Sequence, residues 1–325
     1  MTLRISRRVA LAAFGGALAA LRIPAARAAD TLRVGKAVAE NFGYTPLDVG
    51  MERGIFQKHD LDITVVNFTG GAKIAQAMAA GAVDISLSAG PDMQFVAKGA
   101  PEIAVASITE SPVFMGLCIG KESPVQSLDD LKGQQVGIAS LGSLTYWLVD
   151  ELNRVKAWAG ADRAVQVVVG GSTAASLAAL KTKQVAASLS ATQTGFLLEE
   201  RGEGRLLADC GEYVGPFELF TAFASTVLTQ QNPDAVRRFL AAWYETVGFM
   251  KSHKDEVVPL CAKAMTYPPK VAARAYDVFM PKMSTDGKLR PEAIEALKSS
   301  FADLKSIDGP VDMTKFFTES FLPKV

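Results

Sequence analysis

The sequence predicts an α/β chain of two lobes joined by two crossing segments, and three observations carry that expectation. Two stretches are versions of each other at a fixed offset of 102 residues: VVNFTGGAKIAQAMAAGAVDISLSA (Val65 to Ala89) and VVVGGSTAASLAALKTKQVAASLSA (Val167 to Ala191) agree at 9 of 25 positions. Val34-Gly35 recurs as Val136-Gly137 at the same offset. Each copy runs strand, small-residue turn, helix, strand, a unit that binds ligands where strand carboxyl ends and helix amino ends converge. A chain of 325 residues that is 49% apolar also has enough material for two cores at roughly 100 to 200 residues each.

The elements follow in order. Residues 1–28 read as an export signal: Arg4, Arg7 and Arg8 form a basic start, Val9 to Leu21 an apolar run, and Ala26-Arg27-Ala28 a cleavage site. The run contains Gly15 and Gly16 and falls short of the roughly 20 apolar residues of a spanning helix. Ser6-Arg7-Arg8-Val9-Ala10-Leu11 resembles the twin-arginine motif with Ala10 in place of Phe, so both the twin-arginine and the general secretory routes stay open. Residues 29–112 form the first part of lobe 1. Strands are expected at Thr31 to Val38, Leu61 to Phe68, Val83 to Ser88 and Ile103 to Ile108, with helices at Pro46 to Glu52, Ala72 to Ala80 and Asp92 to Lys98.

Residues 113–217 form lobe 2 with its crossing segments. Its strands are Gln135 to Ala139, Val165 to Val169 and Val185 to Ser190, and its helices Leu144 to Val155 and Ala174 to Lys181. The crossings are assigned to Val113 to Ile119 and Glu218 to Ser225. Residues 218–325 return to lobe 1 and turn helical. Asn232-Pro233-Asp234 starts a helix with Val236, Phe239, Leu240, Trp243, Val247 and Met250 spaced at three and four. Further helices are expected at Glu256 to Met265, Val271 to Met280, Pro291 to Leu304 and Met313 to Phe321, bracing two lobes that hinge.

Without the five arginines of the signal, 29 Lys plus Arg face 34 Asp plus Glu. That mildly acidic balance, with no block of like charge, offers no field for nucleic acid or an anionic membrane. Three scattered cysteines make neither a disulfide framework nor a zinc site; a Cys210 to Cys261 bridge is the one pairing left open. The two histidines, His59 and His253, lie in polar surroundings, and no nucleophile elbow, phosphate loop, dinucleotide fingerprint or His-Glu-x-x-His is present. No catalytic residue, metal ligand or cofactor is therefore assigned.

The strand ends offer hydrogen bonds with little charge. Thr69-Gly70-Gly71 and Ser140-Leu141-Gly142-Ser143 each open a helix and present unpaired N–H groups and a hydroxyl, either as plain caps or as a seat for an anion. Asn41-Phe42-Gly43-Tyr44 either flanks the apolar part of a ligand or packs on the Pro46 helix. Ser88-Ala89-Gly90-Pro91 and Ser190-Ala191-Thr192-Gln193 end the matched strands and are expected to face each other. Glu110 and Glu218 lie at the crossings, there to bind a cationic group or to serve the hinge.

Leu128-Asp129-Asp130-Leu131-Lys132-Gly133-Gln134-Gln135-Val136-Gly137 resembles the "DLKGKxVG" opening of the second lobe in periplasmic solute-binding proteins of ABC transporters. Glu52-Arg53-Gly54-Ile55-Phe56 with Leu61-Asp62-Ile63, Gly81-Ala82-Val83-Asp84-Ile85, and Asn232-Pro233-Asp234-Ala235-Val236 are similar to the branch that takes aliphatic sulfonates, taurine, nitrate and thiamine-type pyrimidines. The resemblance runs from about Thr31 to Ser252. It implies a type II periplasmic-binding-protein clamp, a Venus flytrap that works as a monomer and presents its solute to a membrane permease. By position, ligand contacts would fall on Asn41, Phe42, Tyr44, Thr69, Gly70, Gly71, Ala89, Gly90, Ser140, Gly142, Ser143, Ser190 and Thr192. The chain departs from the sulfonate pattern in having Ser-Ala-Thr-Gln where a tryptophan-proline turn is usual, and it lacks the cysteine and histidine cluster of the pyrimidine-precursor relatives.

The leading expectation is a binding protein for a small organic anion, a sulfonate or carboxylate, that performs no chemistry. The competing class is an enzyme on the same fold, which needs a titratable group in the cleft; Glu110, Glu218 and Asp84 are the candidates. A third reading is a ligand-sensing domain that docks on a membrane kinase.

Overall fold

The computed structural model describes residues 29–158, 160, 164–304, 306–307 and 309–324; the export signal expected at 1–28 lies outside the described residues. The first lobe contains β1 (Asp30–Lys36), α1 (Thr45–Glu52), α2 (Ile55–Lys58), β2 (Leu61–Asn67), α3 (Gly71–Ala79), β3 (Ile85–Ala89), α4 (Met93–Ala97) and β4 (Glu102–Thr109). The second contains β5 (Met115–Gly120), β6 (Gln135–Ile138), α5 (Leu144–Val155), β7 (Gln166–Val169), α6 (Thr173–Lys181), β8 (Ala187–Ala191), α7 (Thr192–Arg201) and β9 (Gly204–Asp209). Then come β10 (Phe220–Ser225), α8 (Thr226–Gln231), α9 (Pro233–Ser252), α10 (Lys254–Met265), α11 (Pro269–Phe279) and α12 (Pro291–Asp303).

Two five-stranded sheets result, ordered β2-β1-β3-β10-β4 and β7-β6-β8-β5-β9. The sequence repeat survives in the register. Val34 pairs with Val65 and Ile85, and Val136 with Val167 and Ala187, so every partner is shifted by the same offset. The fourth strand of each sheet runs antiparallel, with Phe220 opposite Ala89 and Met115 opposite Ala191. These fourth strands correct the crossing assignments: Val113 to Ile119 and Glu218 to Ser225 are mostly β5 and β10. Both are buried almost throughout, as strands covered on two faces must be. The chain crosses instead in the short stretches 110–114 and 210–219.

Two further elements differ from expectation. α7 lies where the sequence predicts no helix: it starts with the polar Thr192, Gln193 and Thr194, yet all three are buried. The helix expected at Met313 to Phe321 is only a single turn at Met313–Lys315. The backbone after it docks on β4, with Ala104 N donating to Phe316 O at 3.0 Å and Thr318 N to Ala104 O at 2.9 Å. That contact covers an otherwise open sheet edge.

The carboxyl-terminal helices hold both lobes. The apolar stripe of α9 is at most 1% exposed at every position from Val236 to Met250 named above. On α11, Arg274 stacks over Phe196 of α7 at 3.9 Å and pairs with Glu199, while Lys270 pairs with Glu200 at 2.9 Å. Phe279 collects rings from three other places: Phe114 of the first crossing at 4.5 Å, Phe42 of lobe 1 at 5.4 Å and Phe196 of lobe 2 at 6.2 Å. Trp147 of α5 stacks on Phe217 of the second crossing at 4.2 Å and donates to Asp303 of α12 at 3.4 Å.

All three cysteines are buried and free, so the Cys210 to Cys261 bridge does not form. Cys210 accepts from Tyr213 Oη at 3.2 Å in lobe 2, and Cys261 donates to Thr45 Oγ1 at 3.6 Å beneath α1. Among the described residues no helix is long and apolar enough to cross a membrane.

Gly90 fixes how β3 meets the second crossing. Its N–H donates to Leu219 O at 2.9 Å, and a Cβ would overlap the Glu218 carbonyl oxygen. Gly90→Ala is expected to destabilise by about 1–3 kcal/mol through overpacking against backbone. Thermal denaturation should show this as a fall of roughly 3–10 °C.

Candidate ligand-binding site

In lobe 2, β6 ends in a turn that feeds α5. Ser143 caps the helix: its Oγ accepts from Tyr146 N at 3.4 Å and donates to Ser140 O at 2.7 Å. Thr145 Oγ1 accepts from Ala139 N at 3.0 Å, which pins the turn from below. Gly142 has φ 70 with open space where a side chain would be. The N–H groups of Leu141, Gly142, Leu144 and Thr145 reach no acceptor among the described residues. Together they make a lip of free donors at the positive end of a helix dipole.

The matching position in lobe 1 is built differently. The carboxylate of Asp92 lies so close to Gly71, the first residue of α3, that a Cβ there would overlap it. Its Oδ2 accepts a short hydrogen bond from Ser88 Oγ and another from Ala89 N at 3.3 Å. Burial pushes the Asp92 carboxyl up to about 6 against the pull of those two bonds. Tyr44 stands beside it, and burial followed by the nearby Asp92 holds its phenol well above the usual range. Of the donors expected in this lobe, Gly70 N is spent on Ala37 O at 2.8 Å, and Thr69 Oγ1 accepts from Lys73 at 2.8 Å.

Two hydrogen bonds near these turns run from one lobe to the other, in addition to the α11 to α7 ion pairs. Gln94 Nε2 donates to Gly142 O at 3.5 Å, and Gln193 Nε2 donates to Glu40 O at 3.1 Å. The first sets α4 beside the turn before α5, and the second sets the start of α7 beside the residue that precedes Asn41.

Several candidate residues are turned to local work. Asn41 Oδ1 caps Gly43 N at 2.8 Å, Phe42 is sealed in the Phe279 cluster, and the ring of Tyr44 packs on Phe220 at 5.3 Å. Gly90 is a packing glycine, and Thr192 Oγ1 donates to Val113 O at 2.7 Å, tying α7 to the first crossing. Ser190 Oγ meets Ser188 Oγ at 3.1 Å. Each of these side chains therefore has a structural role of its own in the protein.

Of the three candidate cleft carboxylates, Asp84 grips Arg33 through both oxygens at the opposite end of the strand, Glu110 pairs with Arg290 at 3.3 Å, and Glu218 is sealed at the second crossing. Asp92, held by Ser88 and Ala89 against Gly71, is a further carboxylate at the end of β3. The sequence gives no sign of it or of Gln94, which read as the start of a helix; Gln193 lies in a segment expected to face the other lobe, and its side chain bonds to Glu40 O of lobe 1. His59 pairs with Glu245 at 2.7 Å, and His253 stacks on Phe249 at 4.2 Å. No cluster suited to a metal ion occurs among the described residues. One cavity of about 1130 Å³ lies on lobe 2 by Leu177, Leu180 and Leu198, and another of about 600 Å³ lies behind the crossings. Neither includes a residue of this site.

A family model described as NMT1/THI5 like matches residues 41–257. A protein of Brucella abortus named for a binding role, without a stated ligand, is 28% identical over 250 residues covering 76% of each chain. The alkanesulfonate-binding protein SsuA from Xanthomonas axonopodis pv. citri, solved with MOPS bound, superposes with a TM-score of 0.71 at 21% identity, over 86% of this chain and 94% of that one. The desulfurization enzyme DSZB superposes with a TM-score of 0.61 at 15% identity, over 90% and 97%. The likeness to the two solved structures establishes the periplasmic-binding-protein fold, on which both binding proteins and enzymes are built.

Proposed function

The chain belongs to the NMT1/THI5-like family, and from that premise we propose that it is an extracytoplasmic solute-binding protein. After export to the periplasm it captures, as a monomer, a small organic anion, a sulfonate or carboxylate, between its lobes. It delivers that solute unchanged to the permease of an ABC importer. The observation that carries this reading is the lip of free N–H groups at Ser140 to Ser143, held opposite Gln94 of the other lobe at 3.5 Å. An anion seated there gains donors and a helix dipole without a full positive charge. The alkanesulfonate-binding relative supports a ligand of this class.

Thermal shift of the mature protein against sulfonates, aliphatic and aromatic carboxylates, nitrate and pyrimidines tests the reading. At one hundred times its Kd a true ligand stabilises by about 2.7 kcal/mol, which raises Tm by roughly 5–10 °C. A response confined to pyrimidines would replace the anion with a thiamine-pyrimidine precursor. Asp92, a carboxyl pushed by burial up to about 6 beside Tyr44, is the observation that favours an enzyme instead. Recovery of the bound solute in altered form after prolonged incubation would establish that alternative.

A further inference from the structure

We infer that lobe 2 carries a second binding site, away from the cleft, and that it takes a single-chain amphipathic anion, a free alkyl carboxylate. The site is the cavity of about 1130 Å³ at the end of the sheet where β6 and β8 begin and β5 ends. The turn at Ser140 to Ser143 follows the other end of β6, so opposite ends of one strand serve the two sites.

The internal repeat shows why this place is hollow. In lobe 1 the equivalent position is plugged: Arg33 of β1 donates through Nε and Nη2 to the two oxygens of Asp84 at 2.9 and 2.6 Å, and through Nη1 to Gly81 O. Advanced by 102 residues, Arg33, Asp84 and Gly81 become Gln135, Ala186 and Lys183. The backbone bond between the first two is kept in both lobes, from Asp84 N to Arg33 O at 2.9 Å and from Ala186 N to Gln135 O at 2.8 Å. The frame is kept and the plug is gone, and Gln135, Lys183 and Ala186 all line the cavity. Its floor is apolar. Leu180, Val185 and Leu198 form with Cys118 a small cluster separate from the main core, with Leu177 packed against it; Ala178 of α6 also lines the space.

The rim carries an excess of positive charge. Of its acids, Glu122 is paired with Lys183 at 2.8 Å, and Asp130 accepts from the N–H groups of Gln126 and Ser127, both at 2.9 Å. Lys121, Lys181 and Arg201 have no ion-pair partner among the described residues, and they stand against Glu203 alone. Each methylene of a guest buried on the floor is worth roughly fourfold in affinity. Exposed cations add less, about fivefold at most for each pair, but they choose the sign of the head.

Titration calorimetry on the full mature protein compares octanoate, 1-octanol and acetate, in the wild type and in Gly142→Glu, where an acidic side chain blocks the lip of the cleft. In both proteins octanoate is expected to bind at least about 30-fold tighter than acetate and at least about threefold tighter than 1-octanol. Rebuilding the plug of lobe 1, with Gln135→Arg and Ala186→Asp together, should weaken octanoate at least about tenfold. Ala178→Trp fills the same space from an exposed helical position and decides the matter should the double variant fail to fold. Lys181→Gln with Arg201→Gln should erase the margin over 1-octanol. Octanoate no tighter than acetate, octanoate no tighter than 1-octanol, or octanoate binding unchanged in a folded space-filling variant each overturns the inference. Octanoate binding that disappears in Gly142→Glu would belong to the cleft, overturning the second site while supporting the first.

Discussion

Gly142→Glu is expected to weaken binding of the anionic solute at least about 100-fold while leaving the unliganded protein folded. Gly142 has φ 70 and nothing within contact of a new side chain, so the substitution costs only the strain of a left-handed residue, about 1 kcal/mol. Its carboxylate would reach the free donors at the start of α5 and sit where the guest's own charge belongs. Two like charges about 4 Å apart repel by about 4 kcal/mol at the effective dielectric near a protein surface; with partial screening this still exceeds the ~2.7 kcal/mol of a 100-fold loss. Gly142→Ala carries the same backbone strain without the charge and serves as the control. Comparable affinities for the two variants would show that the anion sits elsewhere.

Glu218→Gln should have the largest effect on stability. Glu218 is fully buried at the second crossing, with Oε1 accepting from Thr221 Oγ1 at 2.8 Å. Its Oε2 lacks a partner, and so does the neighbouring Ser107 hydroxyl. Burial, reinforced by Glu110 and opposed chiefly by the Thr221 bond, pushes the carboxyl from 4.5 up to about 8. The folded chain therefore keeps a proton that the unfolded chain releases above about 4.5. Stability from this group is complete at low pH, declines as pH rises from about 4.5 to about 8 and levels off beyond. Glutamine stays neutral throughout and removes that slope. Above pH 8 the variant should melt roughly 5–10 °C higher than the wild type, a difference of a few kcal/mol. The gap should close towards pH 4. The decline that remains in the variant reports Asp92 and Glu102, whose carboxyls are pushed by burial to about 6 and about 7. Parallel wild-type and variant curves of Tm against pH would place Glu218 in a hydrated setting instead.

Much of the fold is legible because the repeat is written into pairing register. Once Val34 and Val136 occupy equivalent places, the partners at 65 and 167, and at 85 and 187, follow by a constant step. The fourth strands were harder, since β5 and β10 pair antiparallel to strands distant in sequence, and their apolar runs give no sign of which sheet takes them. α7 stayed hidden because Thr192, Gln193 and Thr194 owe their burial to tertiary contact, not to an apolar pattern. For the candidate site, Ser140 to Ser143 could be read locally, as small residues leading into the apolar start of α5. Asp92 could not, because what defines its place is the missing side chain of Gly71, twenty-one positions earlier.

The ring cluster on Phe279 ties the lobes at one point. Phe42 and Phe196 come from opposite lobes onto one side chain, and aromatic pairs have preferred geometries worth about 0.5–1.5 kcal/mol each beyond their buried area. A rotation of one lobe against the other would therefore have to repack these rings, so the cluster favours a few discrete arrangements over a continuous range.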